Sequence, residues 1–350
     1  MSAKASLVAK TAAEIETCRK DISALKAKLK AKLGDDEKTA KSLSDAAKGA
    51  PSITCELKQR RILQGHKGKI YGVQWSKDNH NIVSAGQDGN MIIWNAFTTN
   101  KVQAIPLKAT FVMTCTYSPN GEMVACGGLD NAVSIFKLPH PEGKKPHQEL
   151  VEHEGYVSCA RFLSNTEMLT ASGDSSCLLW DSEHAKVKAS FKGHEGDVMA
   201  VDARDSTFCS ASVDKSVKMW DYRTEKSCVM TFRGHEQDVN SVQYFPDGFA
   251  VVSGSEDGTC RLWDSRACRQ VNMYSTDKEV SGVSSVAFSQ SGRILIAGYD
   301  DFNGIVWDTL LGTQVQTLSG HTDRLSALAV SPDGHALVTA SFDTQIKVWA

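Results

Sequence analysis

The chain has 350 residues, a formal net charge of −2 and 41% hydrophobic residues, a soluble composition with enough apolar material for a large core. The near-neutral balance argues against nucleic acid or a membrane surface as a partner of the whole molecule. Its ten cysteines form no CxxC pair and mostly sit in apolar, strand-like runs (Cys115, Cys126, Cys159, Cys177, Cys209, Cys260), so they read as reduced thiols and not as a disulfide framework or a zinc site.

Residues 1–50 are mildly basic, with 11 Lys and Arg against 7 Asp and Glu. They hold no apolar signal core, and no run in the chain approaches membrane-spanning length. Neither "MSA" at the start nor "KVWA" at the end reads as a lipidation signal, so any work at a membrane needs a partner as carrier. Residues 8–32 lack Gly and Pro, and Val8, Ile15, Ile22 and Leu29 fall seven apart, with Thr11, Cys18 and Leu25 at the complementary positions. This predicts a helix with a heptad seam of about three repeats, stopped at Gly34. Such a helix can dock on its own core or pair with another chain; the narrow seam favours a two-stranded coiled coil. The segment 37–52, "EKTAKSLSDAAKGAPS", reads as a polar linker. The expected division is a coiled-coil helix over 1–34, a linker over 35–56 and one large domain over 57–350.

From residue 65 the chain repeats itself. Gly-His occurs at 65–66, 193–194, 234–235 and 320–321, with a related Glu152-His153. An aromatic closes each unit at Trp94, Phe136, Trp180, Trp220, Trp263, Trp307 and Trp349, with gaps of 42, 44, 40, 43, 44 and 42 residues. An Asp stands six positions before each: Asp88, Asp130, Asp174, Asp214, Asp257, Asp301 and Asp343. This period and punctuation are the WD-repeat signature, four strands per blade, and predict an all-β, seven-bladed propeller behind the helix. Runs such as "VNSVQYF" and "VSSVAFS" read as strands and "PNG", "PDG" and "SG" as turns.

Two units depart from the pattern. The second has no Gly-His, with Cys126 at the hydroxyl slot and Phe136 at the Trp slot; the sixth has Ala297 at the hydroxyl slot and no matching histidine. Both are expected to be less well clipped. The loop "KLPHPEGKKPHQEL" (137–150) carries His140 and His147 but no third ligand, so it reads as a solvated connector without a metal. The chain ends one residue past Trp349, so residues 57–63, whose "RRILQGH" context resembles "VMTFRGH" and "VQTLSGH", are expected to supply the seventh blade's missing strand and close the ring.

His194, Ser210 and Asp214 invite a catalytic reading. The set recurs, however, as His66/Ser84/Asp88/Trp94, His153/Thr170/Asp174/Trp180, His194/Ser210/Asp214/Trp220, His235/Ser253/Asp257/Trp263 and His321/Thr339/Asp343/Trp349. Five copies around a ring suit a hydrogen-bonded clip in each blade, since a triad is defined by geometry and not by residue names. No enzyme, cofactor or metal is expected. Residues three and five past each His point one way at the start of the innermost strand: Lys69/Tyr71, Tyr156/Ser158, Asp197/Met199, Asp238/Asn240 and Arg324/Ser326. Met, Tyr and acids on loops of a rigid ring have the composition of an interaction surface.

The segments "KIYGVQW", "TTNKVQAIPL", "VMTCTYSPNGEMVACGGLDN", "GHEGDVM", "TCRLWD" and "GRILIAGYDDFN", on a propeller behind a coiled-coil helix, resemble the β subunit of heterotrimeric G proteins across nearly the whole chain. The resemblance implies that Val8, Ile15, Cys18, Ile22, Leu25 and Leu29 meet a γ subunit, or a γ-like domain of a regulator of G-protein signalling. It implies that a GDP-bound α subunit and effectors share the narrow face, at Lys69, Tyr71, Phe111, Met113, Leu129, Tyr156, Asp197, Met199, Asp238, Asn240, Glu256 and Phe342. It places the α subunit's amino-terminal helix along Lys67, Asn90, Ile92, Asn100 and Lys101. Phe111 and Phe342 stand where that family commonly has Trp, Lys67 where it has Leu, and Glu256 where it has a shorter acid. The implied setting is signalling from a receptor at the cytoplasmic face of the plasma membrane, reached through lipidated partners. The alternative is another WD-repeat scaffold, such as a ribosome- or ubiquitin-ligase-associated adaptor.

Overall fold

The computed structural model describes residues 47, 49–224, 228–276 and 281–350. The chain divides into two units, residues 1–50 and 51–350. The heptad positions Val8, Ile15, Cys18, Ile22, Leu25 and Leu29 lie outside the described residues, as does most of the expected linker.

Residues 51–350 form seven four-stranded antiparallel sheets. After β1 (Gln59–Gln64), the first blade is β2 (Ile70–Trp75), β3 (Asn81–Gly86), β4 (Asn90–Asn95) and β5 (Lys101–Pro106). The second is β6 (Val112–Tyr117), β7 (Met123–Gly128), β8 (Ala132–Lys137) and β9 (Gln148–Val151); the third is β10 (Val157–Phe162), β11 (Glu167–Ser172), β12 (Ser176–Asp181) and β13 (Lys186–Lys192). The fourth is β14 (Val198–Arg204), β15 (Thr207–Ser212), β16 (Ser216–Asp221) and β17 (Cys228–Arg233); the fifth is β18 (Val239–Tyr244), β19 (Ala250–Ser255), β20 (Cys260–Asp264) and β21 (Arg269–Tyr274). The sixth is β22 (Val283–Phe288), β23 (Ile294–Tyr299), β24 (Gly304–Asp308) and β25 (Gln314–Leu318). The seventh joins β26 (Leu325–Val330), β27 (Leu337–Ser341) and β28 (Gln345–Trp349) to β1, which pairs antiparallel with β28. Lys58 and Ala350 exchange backbone hydrogen bonds of 3.1 and 3.2 Å, and the Gln316 side-chain amide extends the closure by bonding both N–H and C=O of Leu57 at 2.8 Å.

Alternation along each strand puts apolar residues on both blade faces, so the core lies between neighbouring blades. Ile82, Ile92 and Trp94 of the first blade pack with Val338, Ala340, Ile346 and Val348 of the seventh. Val83, Met91 and Ile93 on the opposite face pack with Cys115, Val124 and Phe136 of the second. The inner strands are also stitched by side chains to the next blade's backbone. Gln74 accepts from Tyr117 N–H at 2.7 Å, Asp202 from Tyr244 N–H at 2.8 Å and Gln243 from Phe288 N–H at 2.7 Å. Each such bond satisfies an inner-strand group that would otherwise lack a partner.

In five blades the repeated quartet forms one chain of hydrogen bonds. The indole N–H of Trp94, Trp180, Trp220, Trp263 and Trp349 donates to Ser84, Thr170, Ser210, Ser253 and Thr339 over 2.8–3.0 Å. Each hydroxyl lies 2.7–2.8 Å from Nε2 of its histidine. Nδ1 lies 2.7–3.0 Å from Asp88, Asp174, Asp214, Asp257 or Asp343. Every donor finds an acceptor when the imidazole is neutral and protonated on Nδ1. The carboxylate also accepts the backbone N–H following the histidine, over 2.9–3.1 Å, which fixes the loop entering the blade. The second and sixth blades lack the chain. Phe136 has no donor and packs against His140, with ring centroids 5.0 Å apart, and the buried Trp307 N–H has no hydrogen-bond partner among the described residues.

Candidate functional site

In every blade the inner strand starts beside the turn between the second and third strands: Ile70 pairs with Gly86 and Leu325 with Ser341. The loops carrying the histidines, the inner-strand starts and these turns therefore gather on one rim of the central channel. The channel holds about 580 Å³, with Tyr71, Met113, Ser158, Asn240 and Ser326 in its wall at this end and Lys77, Arg204 and Pro332 at the other.

One backbone device sets the rim. All seven inner strands slip register at the same place. Tyr71, Met113, Ser158, Met199, Asn240, Ser284 and Ser326 are each the extra residue of a β-bulge, which re-aims a side chain. The serines among them turn back to the framework: Ser326 donates to Ile70 C=O at 2.6 Å and Ser284 to Gly298 C=O at 3.1 Å, and Ser158 bonds Val198 C=O. Tyr71, Met113 and Met199 donate nothing to the backbone; Tyr71 and Met113 leave surface in the channel wall, and the half-buried Met199 lies beside Tyr156.

Two clusters occupy the rim. Around Phe342, the Tyr71 ring meets its edge at 5.3 Å, Lys69 Nζ lies 4.6 Å from its centroid and Arg324 Cζ 5.3 Å. Arg324 also lies 3.0 Å from Asp300 and 3.9 Å from Glu256, and Glu256 accepts from Asn240 at 3.0 Å. Blades five, six and seven are thus joined by one charged network. Burial raises the Asp300 carboxyl above its ordinary range, Arg324 opposes this, and the nearby Glu256 and Asp301 add to it. In the second cluster, Tyr156 Oη donates to Asp197 at 2.9 Å and lies 3.5 Å from Met199 Sδ. Burial, then the bond to Asp197, pushes the phenol up to about 12. The Tyr156 ring lies across Gly173, where a Cβ would meet ring carbon at 2.4 Å, so any larger residue there would displace the ring.

Phe111 and Leu129 are 37% and 53% exposed, beyond Met113 in the second blade. Phe111 has φ of 61°, a left-handed conformation costing a non-glycine residue about 1–2 kcal/mol. Strain of this kind tends to cluster at functional positions. Asp238 is exposed, and its carbonyl accepts from Glu256 N–H at 2.9 Å. On the first blade's flank, Lys67, Asn100 and Lys101 are exposed and Asn90 is half-buried. Ile92 is only 3% exposed and belongs to the core between blades one and seven, so the exposed part of that flank is polar. Lys101 Nζ lies over the Trp94 ring at 5.6 Å.

Arg324 and Asp300 organise the rim beyond the positions implied by resemblance. Asp300 has a sequence signal: it precedes the unit aspartate Asp301 as Glu256 precedes Asp257 and Phe342 precedes Asp343. Among the described residues no three His, Cys, Asp or Glu side chains gather as metal ligands, and no described helix is long and apolar enough to cross a membrane. Half-buried aromatic and Met anchors inside a charged network make an arrangement suited to protein recognition.

The family described as "G protein beta WD-40 repeat protein" matches residues 12–350. Among similar proteins, "Guanine nucleotide-binding protein subunit beta" of Arabidopsis thaliana is 45% identical over 323 residues, covering 86% of this chain and 85% of the relative. "Guanine nucleotide-binding protein subunit beta-1" of Nicotiana tabacum is 44% identical over 311 residues, covering 83% and 82%. The β subunit of Oryza sativa subsp. japonica is 44% identical over 313 residues, with 83% and 82% covered.

Proposed function

This chain belongs to the G protein β-subunit family of WD-repeat propellers, and from that premise we propose that its rim holds a GDP-bound α subunit and, once α has left, effectors. The chain is a non-catalytic signalling subunit of a heterotrimeric G protein. In this reading residues 1–34 form a coiled-coil helix that pairs through Val8, Ile15, Cys18, Ile22, Leu25 and Leu29 with a γ subunit or γ-like domain. Residues 35–56 link it to the propeller of 57–350. The family match over residues 12–350 weighs against the adaptor reading.

The observation that carries the proposal is the pairing of two preorganised clusters, Tyr71–Phe342–Lys69–Arg324 and Tyr156–Asp197–Met199, on one rim. Met113, Phe111 and Leu129 extend its apolar part, and Asp238, Asn240 and Glu256 its polar part. Lys67, Asn90, Asn100 and Lys101 offer a polar strip for the α subunit's amino-terminal helix, with Ile92 behind them. Sharing one surface makes α and effector mutually exclusive, so nucleotide exchange on α controls access without a change in this chain. Lipidated partners bring the complex and its receptor-facing work to the cytoplasmic face of the plasma membrane.

The test is co-purification with a γ chain and an α subunit, first with GDP and then with a non-hydrolysable GTP analogue. Retention of α only with GDP is expected. Replacing Asp197 and Met199 together by Ala removes two anchors, each worth about 1–3 kcal/mol, and should weaken α binding by about tenfold or more. Unchanged α binding by a folded double variant places the site elsewhere. Ile15→Asp with Ile22→Asp should abolish retention of γ.

A further inference from the structure

Within the second blade, β8 is joined to β9 through "KLPHPEGKKPHQEL", which covers a groove on the flank of the propeller. The groove holds about 580 Å³ and is lined by β5, β8 and this connector, with Pro106, Phe136, Ser134, Lys108, Lys144 and Lys145 among its walls. That volume falls within the range of ligand sites. The connector is pinned in place: Gln103 accepts from His140 N–H at 3.2 Å and donates back to its carbonyl, His140 Nε2 lies 3.2 Å from Lys144 C=O, and the His140 ring packs on Phe136.

We propose that this groove docks a short acidic peptide segment of a partner protein. Charge is the first reason. Three lysines face the groove against a single glutamate, Glu142, on a chain whose net charge is −2. Lys108 is paired with Glu149 at 2.6 Å, whereas the ammonium groups of Lys144 and Lys145 have no carboxylate partner among the described residues. Shape is the second. The wall follows β5 from Gln103 to Pro106, roughly 10 Å at 3.3 Å per residue, and continues past the strand's end to Lys108, which suits an extended segment more than a compact ion. The floor is the third: Ala104, Pro106, Phe136 and Pro146 are apolar and give the partner's side chains something to cover. Two polar groups are left to fix orientation. Nε2–H of His140 is committed to Lys144 C=O, which leaves Nδ1, and the half-buried Ser134 hydroxyl has no protein partner among the described residues.

The experiment uses the full chain with its γ partner and fluorescence anisotropy of a labelled eight-residue Glu/Asp-rich peptide carrying one Leu. Binding is expected, with at least a tenfold loss in Lys144→Glu/Lys145→Glu and no loss in Lys58→Glu/Arg60→Glu at the start of the ring-closing segment. Ala104→Trp fills the groove without touching charge and should also weaken binding tenfold. Equal binding by the lysine variant, or a loss in it but none in Ala104→Trp, overturns the proposal, the latter by leaving only diffuse attraction. Vesicles containing phosphatidylserine serve as the competing probe; tighter capture of vesicles than of peptide, lost in the same variants, makes a membrane the occupant and overturns it too. Matched thermal unfolding of the variants confirms that each is folded, and retained α binding separates this outcome from the fate of the rim.

Discussion

Trp220 and Trp307 hold equivalent places in their blades, both nearly fully buried, and differ in one hydrogen bond. Trp220 donates to Ser210 at 2.8 Å, whereas Ala297 offers no hydroxyl to Trp307, whose N–H lies near the Tyr299 hydroxyl without forming a well-aligned hydrogen bond. Trp220→Phe removes a bond and leaves the buried Ser210 hydroxyl without its donor. Trp307→Phe removes an unsatisfied donor, so its loss of packing is partly offset. The first should cost roughly 1 kcal/mol more than the second in urea unfolding; equal losses would show that the clip adds no stability. Residue spacing made this contrast readable, since Ala297 and the missing histidine are plain in the sequence. The role of Arg324 was not readable to the same degree. Its network with Phe342, Asp300 and Glu256 spans three blades, and only folding brings those turns together.

The strand that closes the ring shows how burial alternates along one element. In β1, Leu63 is 1% exposed within the core shared by blades seven and one, and its neighbour Ile62 is 38% exposed. Leu63→Ala should cost about 2–5 kcal/mol, as cavity-forming core truncations do. Ile62→Ala, on the outer face, should stay within about 0.5 kcal/mol. Thermal melts of the two variants decide it, and a mild Leu63→Ala would mean that blade seven does not depend on this strand. The seven blades are legible because the 40- to 44-residue spacing of their closing aromatics reports four short strands and their turns. The inner-strand bulges are not legible, because an extra residue shows only in hydrogen-bond register. Counting from the histidine reaches Tyr71, Met199 and Asn240, but blades two and six lack that histidine, so the count misses Met113 and Ser284. The connector over 137–150 is legible as a loop in its middle. That 148–150 begin β9 and keep it inside the second blade, instead of between the second and third, is not legible, and its groove needs Gln103 of the first blade to hold it down. The heptad helix rests on spacing alone, since its seam lies outside the described residues.

A closed ring with five repeated clips couples its stability to pH with one dominant sign. Burial lowers the His66 and His153 imidazoles below their ordinary value, only partly countered by Asp88 and Asp174. The unfolded chain therefore takes up protons on these groups before the folded one does, and stability falls as pH drops through about 6.5. Among the clip aspartates, burial raises the carboxyls but their bonds outweigh it. For Asp88 these come from Lys67 N–H and His66; for Asp174 from Ser176 and His153; for Asp214 from His194 and Ser216; for Asp257 from His235 and Thr259; and for Asp343 from His321. All end below the ordinary range, so their stabilisation is present above about pH 4 and is lost as pH falls through their lower folded values. Asp300 and Asp202 run the other way, because burial raises both, and they relieve a cost on acidification. Two groups against seven do not reverse the sum. Melting temperature should hold near pH 7–8, begin to decline below about 6.5 and fall steeply below about 4. A melting temperature that stays level or rises from pH 7 to 5 would mean that the histidines are not held neutral. His66→Gln with His153→Gln should flatten the upper part of the decline and leave the carboxylate part in place, since glutamine cannot take up the proton that the unfolded imidazoles bind.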